Sequence, residues 1–186
     1  MQKTLPNILT LSRIIIIPIL VASFYSNRWF SEVDAQMAHW IAAGLFAAAS
    51  ITDFFDGYLA RIWKVESKLG QFLDPIADKL LVVTAIVMLV HFDRAHIIPS
   101  LTILCREILV SGLREFLGQI NVGVPVSKLA KVKTGVQMLA LFLLILGTEG
   151  SGEEITKYIG NIALWIAAGL TLVTGYAYLK SGLKHM

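Results

Sequence analysis

Four aspartates and an arginine stand close together in a chain otherwise built of long apolar runs. From Asp53 the sequence reads Asp-Phe-Phe-Asp-Gly-Tyr-Leu-Ala-Arg, and after eight further residues Gly-Gln-Phe-Leu-Asp-Pro-Ile-Ala-Asp, ending at Asp78. Asp53 and Asp56 are three apart and Asp74 and Asp78 four apart, so on helices each pair shares a face, and two facing helices gather all four carboxylates. Unpaired carboxylates at membrane depth are costly or take up protons. Hard divalent cations bind carboxylate oxygens and neutralise them, so the pattern predicts a site for two Mg²⁺ or Mn²⁺ ions held by Asp53, Asp56, Asp74 and Asp78. Gly57 removes a side chain where a ligand or a neighbouring backbone can come close. The structural alternative is a pair of membrane helices whose acids are salt-bridged or lie at the interface, with Arg61, Lys64, Lys68 and Lys79 as the nearby cations.

The spacing D-x2-D-G-x2-A-R-x8-G-x3-D-x3-D, here Asp53, Asp56, Gly57, Ala60, Arg61, Gly70, Asp74 and Asp78, resembles without mismatch the signature of the CDP-alcohol phosphotransferases. The resemblance implies an enzyme that moves a phosphatidyl group from a CDP-linked lipid to an alcohol and releases CMP. It implies Asp53, Asp56 and Asp74 as metal ligands and Asp78 as the catalytic base, with possible contact to the second metal. It further implies that Gly57 and Ala60 leave room for the nucleotide, with Gly70 in the same fixed register, and that Arg61 meets the diphosphate. Near the N-terminus, Pro6-Asn7-x-Leu9-Thr10-x-x-Arg13 resembles the region that floors the nucleotide site in the same family, which adds Asn7, Thr10 and Arg13 to the CDP-lipid contacts; a helix start with an interfacial arginine is the alternative.

The acceptor alcohol is decided outside that signature. Cys105-Arg106-Glu107-Ile108, Leu113-Arg114-Glu115 and Lys131-Val132-Lys133-Thr134 resemble the bacterial phosphatidylglycerophosphate synthase branch of the family, whose acceptor is glycerol 3-phosphate. A phosphorylated acceptor accounts physically for the cations, since guanidinium binds phosphate as a planar fork and ammonium as a point charge. Arg106, Arg114, Lys128, Lys131 and Lys133 are therefore the candidate phosphate ligands. Pairing of the arginines with Glu107 or Glu115, and cytoplasmic anchoring by the lysines, are the structural alternatives. Rival functions are a relative with inositol, serine or phosphatidylglycerol as acceptor and, in another class, a divalent-cation transporter, whose path Arg106 and Arg114 would repel.

The elements that must position these residues follow from composition. The 186 residues are 56% hydrophobic, with mean hydropathy +0.70, against roughly 45 to 50% apolar in a soluble domain. The expected class is all-α: one polytopic membrane domain spanning 1–186, with six transmembrane helices at Leu5 to Tyr25, Met37 to Trp63, Phe72 to His91, Ile97 to Gly118, Lys128 to Gly147 and Ile155 to Leu179. Ile14 to Phe24 is only eleven residues, about 16 Å of helix, so the first span must start near Leu5 and turn Arg13 toward a polar cavity. With Val21-Ala22-Ser23 it could pass for a cleaved secretory signal, but no soluble mature domain follows, and it is expected to remain as a span. Pro75 is expected early enough in the third helix to be tolerated.

With both termini cytoplasmic, all but Arg28, Arg94 and Lys157 of the sixteen Lys and Arg residues fall on the cytoplasmic side. The net charge of +3 then reads as topology, with no nucleic acid as partner. The acidic site faces the cytoplasm, and membrane lipids surround the chain. Cys105 is expected to be a packing residue, and the four histidines to lie at span ends without metal-ligand spacing. The resemblance further implies the bacterial inner membrane and a homodimer, for which Ala42, Ala43, Gly44 and Ala47 could allow close packing.

Overall fold

The computed structural model describes the backbone of residues 5–29, 34–63, 68–120 and 128–182; within these, the side chains of 5–11, 27–29, 53–63, 68–72, 74, 75 and 78 lie outside the described residues. The described chain is all helix: α1 Leu5–Trp29, α2 Ala35–Trp63, α3 Lys68–His91, α4 Ile97–Gln119, α5 Lys128–Ser151 and α6 Glu154–Gly182, with no strand among the described residues. Each expected span becomes one helix, and the helices overrun the apolar runs at several ends. A helical backbone satisfies its own hydrogen bonds and does not stop where composition turns polar. One consequence is that α3 begins four residues before Phe72, which moves Pro75 from the first turn to the third.

α5 is the central helix, packing against α6, α2 and α3, while α1 lies against α2 and α3 and α4 against α6. The core is a contiguous set of aliphatic and small side chains, among them Phe46 of α2, Leu89 of α3, Leu141, Leu144 and Ile145 of α5, and Leu164 and Ala167 of α6. Large apolar side chains also stand exposed on every helix, for example Ile15, Ile41, Val87, Ile108, Leu139 and Ile166. A water-soluble bundle would bury such a girdle. α5 and α6 are each long and apolar enough to cross a membrane by length and composition. Cys105 departs from expectation: it is exposed, because it shares the outward stripe of α4 with Leu101, Ile108, Leu109 and Phe116.

One end of the bundle is tied by a buried arginine. Arg94, in the short α3–α4 turn, has a side chain only 10% exposed and pairs with Glu149 near the end of α5 at 3.1 Å. Its Nη1 donates to the Ile145 carbonyl oxygen at 3.1 Å, and its guanidinium meets the His39 ring of α2 at 2.9 and 3.3 Å. The Asn161 side-chain amide of α6 donates back to the Arg94 carbonyl at 3.3 Å. Burial pushes the Arg94 guanidinium below its ordinary value and Glu149 pushes it back up; it stays a cation, as arginine does in proteins. His39 is buried here although the sequence suggests interfacial placement. The arrangement needs Gly147, whose φ of 58° and ψ of −168° break the helical path of α5. A Cβ there would lie 3.1 Å from a Glu149 carboxylate oxygen and 3.2 Å from Arg94 Nη1. That region of backbone space is essentially reserved for glycine, so Gly147→Ala is expected to destabilise the protein by about 1–3 kcal/mol. Thermal unfolding in detergent reads this as a lower midpoint, whereas an unchanged midpoint would show that the turn tolerates a side chain.

Candidate active site

The helices set the two acid pairs on neighbouring elements. Asp53 and Asp56 lie in the last three turns of α2 and Asp74 and Asp78 in the first three turns of α3; the two helices are in contact and are connected through residues 64–67. The side chains of all four aspartates, and of Asn7, Thr10, Gly57, Ala60, Arg61 and Gly70, lie outside the described residues. The donor set the sequence offers there is all carboxylate, which suits Mg²⁺ or Mn²⁺ and not a soft metal. Among the described residues there is no group of three or more His, Cys, Asp or Glu side chains that could hold a metal ion. Arg13 of α1 is 1% exposed.

A second polar cluster joins α4, α5 and α6 in the half of the bundle remote from Arg94. Glu107 Oε1 accepts from Arg106 Nη1 at 3.3 Å, and the same oxygen accepts from the Lys133 ammonium. The side chains of Arg106 and Lys133 are only 12% and 4% exposed, and that of Glu107 24%. Two nearly buried cations thus share one partly buried carboxylate. Its charge offsets most of their mutual repulsion while keeping both within hydrogen-bond reach of one point. Arg106 is fixed further from α6: Nη2 donates to Thr174 Oγ1 at 3.0 Å, and the guanidinium carbon stands 5.8 Å from the centre of the Tyr178 ring. Its Nε is buried with no hydrogen-bond partner among the described residues.

Of the candidate phosphate ligands, the fold brings together Arg106 and Lys133 and leaves Arg114, Lys128 and Lys131 exposed on the surface. The Arg106–Glu107 contact is the pairing that the sequence leaves open as an alternative, but the carboxylate does not saturate the cations, because it is one charge against two.

Among the described residues, one side-chain hydrogen bond links the helix of the cationic cluster to the acid helix. Lys79, one residue after Asp78, donates from its ammonium to Ser111 Oγ of α4. Ser111 follows Arg106 by five residues, about 7.5 Å of axial rise. The level of Asp78 on α3 is therefore tied to that of Ser111 on α4, about a turn and a half from Arg106. Sequence reasoning counts Lys79 only as a nearby cation and assigns Ser111, Thr174, Gly175 and Tyr178 no role. A signal for the α6 residues does exist, since Thr171, Thr174, Gly175, Tyr178 and Gly182 fall on one buried face at helical spacing, a polar and small stripe in an otherwise apolar span.

The charge balance predicts an order of stabilities. Glu107→Gln leaves two buried cations facing each other and is expected to cost roughly 1.5–3 kcal/mol. Lys133→Met keeps the Arg106–Glu107 pair and an apolar stem, so it should cost less. Unfolding of the detergent-solubilised variants checks the order, and the reverse order would mean that Glu107 does not balance the pair.

Comparison with known proteins gives a consistent result over nearly the full length. The family model described as CDP-alcohol phosphatidyltransferase matches residues 3–173. A Rickettsia felis protein named CDP-diacylglycerol--glycerol-3-phosphate 3-phosphatidyltransferase is 52% identical over 184 residues, covering 99% of this chain and 98% of its own length. A protein of the same name from Cereibacter sphaeroides is 40% identical, with 100% and 98% covered. One from Arabidopsis thaliana, carrying that name with the number 2, is 35% identical over 95% of this chain and 78% of its own length.

Proposed function

The chain belongs to the CDP-alcohol phosphatidyltransferase family, and from that premise we propose that it transfers the phosphatidyl group of CDP-diacylglycerol to glycerol 3-phosphate, giving phosphatidylglycerophosphate and CMP. The observation that carries the choice of acceptor is the convergence of Arg106 of α4 and Lys133 of α5 on one Glu107 oxygen, with α4 tied through Ser111 and Lys79 to the turn of α3 that bears Asp78. An uncharged acceptor such as inositol gives no reason to hold a guanidinium and an ammonium nearly buried at that point. The relatives' names specify the same acceptor.

In this reading the chain is a single domain crossing the inner membrane six times, with both termini and the active site on the cytoplasmic side. The exposed apolar residues on all six helices and the charge asymmetry of the loops support it. The lipid reaches the site from the bilayer and the acceptor from water. Asn7, Thr10, Arg13, Gly57, Ala60, Arg61 and Gly70 receive the CDP moiety, while Arg106 and Lys133, with Arg114, Lys128 and Lys131 at the entrance, hold the acceptor phosphate. Two Mg²⁺ or Mn²⁺ ions on Asp53, Asp56, Asp74 and Asp78 would supply neutralisation of the diphosphate and of the departing CMP. Asp78 takes the proton of the acceptor hydroxyl. The freed oxygen attacks the lipid-side phosphorus, a P–O bond forms to the acceptor, and the P–O bond to CMP breaks. Water is disfavoured as a nucleophile because the cations position the acceptor through its phosphate, away from the reacting hydroxyl.

A homodimer is the assembly that the family resemblance supports. Of the four small residues, Ala42 and Ala43 are fully buried within the protomer, whereas Gly44 is exposed and Ala47 half-buried, so only the latter two could serve an interface. Light scattering in mild detergent tests this, and an active, monodisperse monomer would contradict it.

Asp78→Asn should abolish CMP release, as should exhaustive chelation, with restoration by added Mg²⁺ or Mn²⁺. Arg106→Ala should lower kcat/KM for glycerol 3-phosphate by about 10- to 150-fold while leaving the CDP-lipid KM nearly unchanged, because a charged hydrogen-bond partner is lost. Arg106→Lys should recover part of it, since the charge is kept and the fork is lost. Equal weakening toward both substrates in Arg106→Ala would contradict the assignment of the acceptor phosphate.

A further inference from the structure

We propose that one turn of α6, formed by Thr174, Gly175 and Tyr178, is a positioning socket that orients Arg106 toward the acceptor phosphate and thereby sets selectivity for a phosphorylated acceptor. The inference deepens the reading above and rests on it. Three separate features of that turn act on the one arginine. The Thr174 hydroxyl has a single proton, directed to the helix's own carbonyls at Leu170 (2.8 Å) and Thr171 (3.1 Å), so its oxygen is left as an acceptor facing Arg106 Nη2 at 3.0 Å. Gly175 supplies a notch for the arginine stem: a Cβ there would stand 2.9 Å from Arg106 Cγ and 3.4 Å from Nε, where almost any side chain would displace it. The Tyr178 ring, itself buried, covers the guanidinium at 5.8 Å, within cation–π range.

Anchoring a charge would require only one of these. Together with Glu107 on Nη1, Thr174 on Nη2 fixes the plane of the guanidinium fork as well as its place, and a fixed plane is what bidentate recognition of a phosphate demands. None of the three residues needs to touch substrate; each acts through Arg106.

The test is steady-state kinetics of CMP release by the purified full-length protein in detergent, with each substrate varied in turn. Thr174→Val keeps the shape and removes the acceptor oxygen. It is expected to raise the KM for glycerol 3-phosphate about 10-fold, to leave the KM for CDP-diacylglycerol within twofold, and to narrow the preference for glycerol 3-phosphate over glycerol, with the change falling on KM rather than kcat. Thr174→Ser, which keeps the hydroxyl, should restore the acceptor KM. Gly175→Ala should act in the same direction, and in an Arg106→Ala background Thr174→Val should add less than twofold, because both act through the same group. Should Gly175→Ala fail to fold, the two Thr174 variants decide the matter. An acceptor KM unchanged in Thr174→Val, an equal rise for both substrates, or full additivity with Arg106→Ala would overturn the socket while leaving the proposed reaction intact. A wild-type protein that releases no CMP with glycerol 3-phosphate would overturn both.

Discussion

A charge taken into an apolar bundle must find its counter-charge there, and Glu107 is where this protein meets that constraint for two cations at once. Arg106 and Lys133 come from different helices and are nearly buried, yet they end on the same carboxylate oxygen. Without Glu107 the two would repel between α4 and α5. With it, one net positive charge remains, held at a defined point by three helices. The same carboxylate is what makes the cluster suitable for binding: it is strong enough to keep the cations in place and one charge short of neutralising them.

The rest of the fold serves that point from a distance. The Arg94–Glu149–His39 tie closes the opposite end of the bundle, while the aliphatic core between fixes how far α2, α3, α5 and α6 stand from one another. The Lys79–Ser111 contact then sets the relative height of the acid helix and the cationic helix. Among the described residues α3 packs more closely on α1 than on α4. A wet substrate and a lipid headgroup can meet only where helices part and polar groups line the gap.

The number and order of the helices were legible in the sequence, because each apolar run is long and the loops between them carry Gly, Pro or charges. The placement of the two acid pairs on adjacent helices was legible too, since Asp53 and Asp56 close one apolar run and Asp74 and Asp78 open the next. What sequence could not supply was which cations converge. Arg106 and Arg114 look equivalent at a spacing of eight, but only the first turns toward α6, because Gly175 leaves a notch for its stem. Lys133 and Lys131 likewise differ by two residues, and that offset alone buries one against Glu107 and exposes the other. The apolar run around Cys105 predicts a packing residue, yet it is exposed. In a bundle whose outside is itself apolar, composition does not distinguish the core face from the outer one.

The most direct measurement follows the acceptor itself: purified protein, CDP-diacylglycerol, a divalent cation and glycerol 3-phosphate labelled with ¹⁴C, with lipid and water phases separated after reaction. The account predicts that label enters the lipid phase as phosphatidylglycerophosphate in step with CMP release, and that excess unlabelled inositol or serine does not reduce it. Label that stays in the aqueous phase while labelled inositol or serine passes into lipid would contradict it.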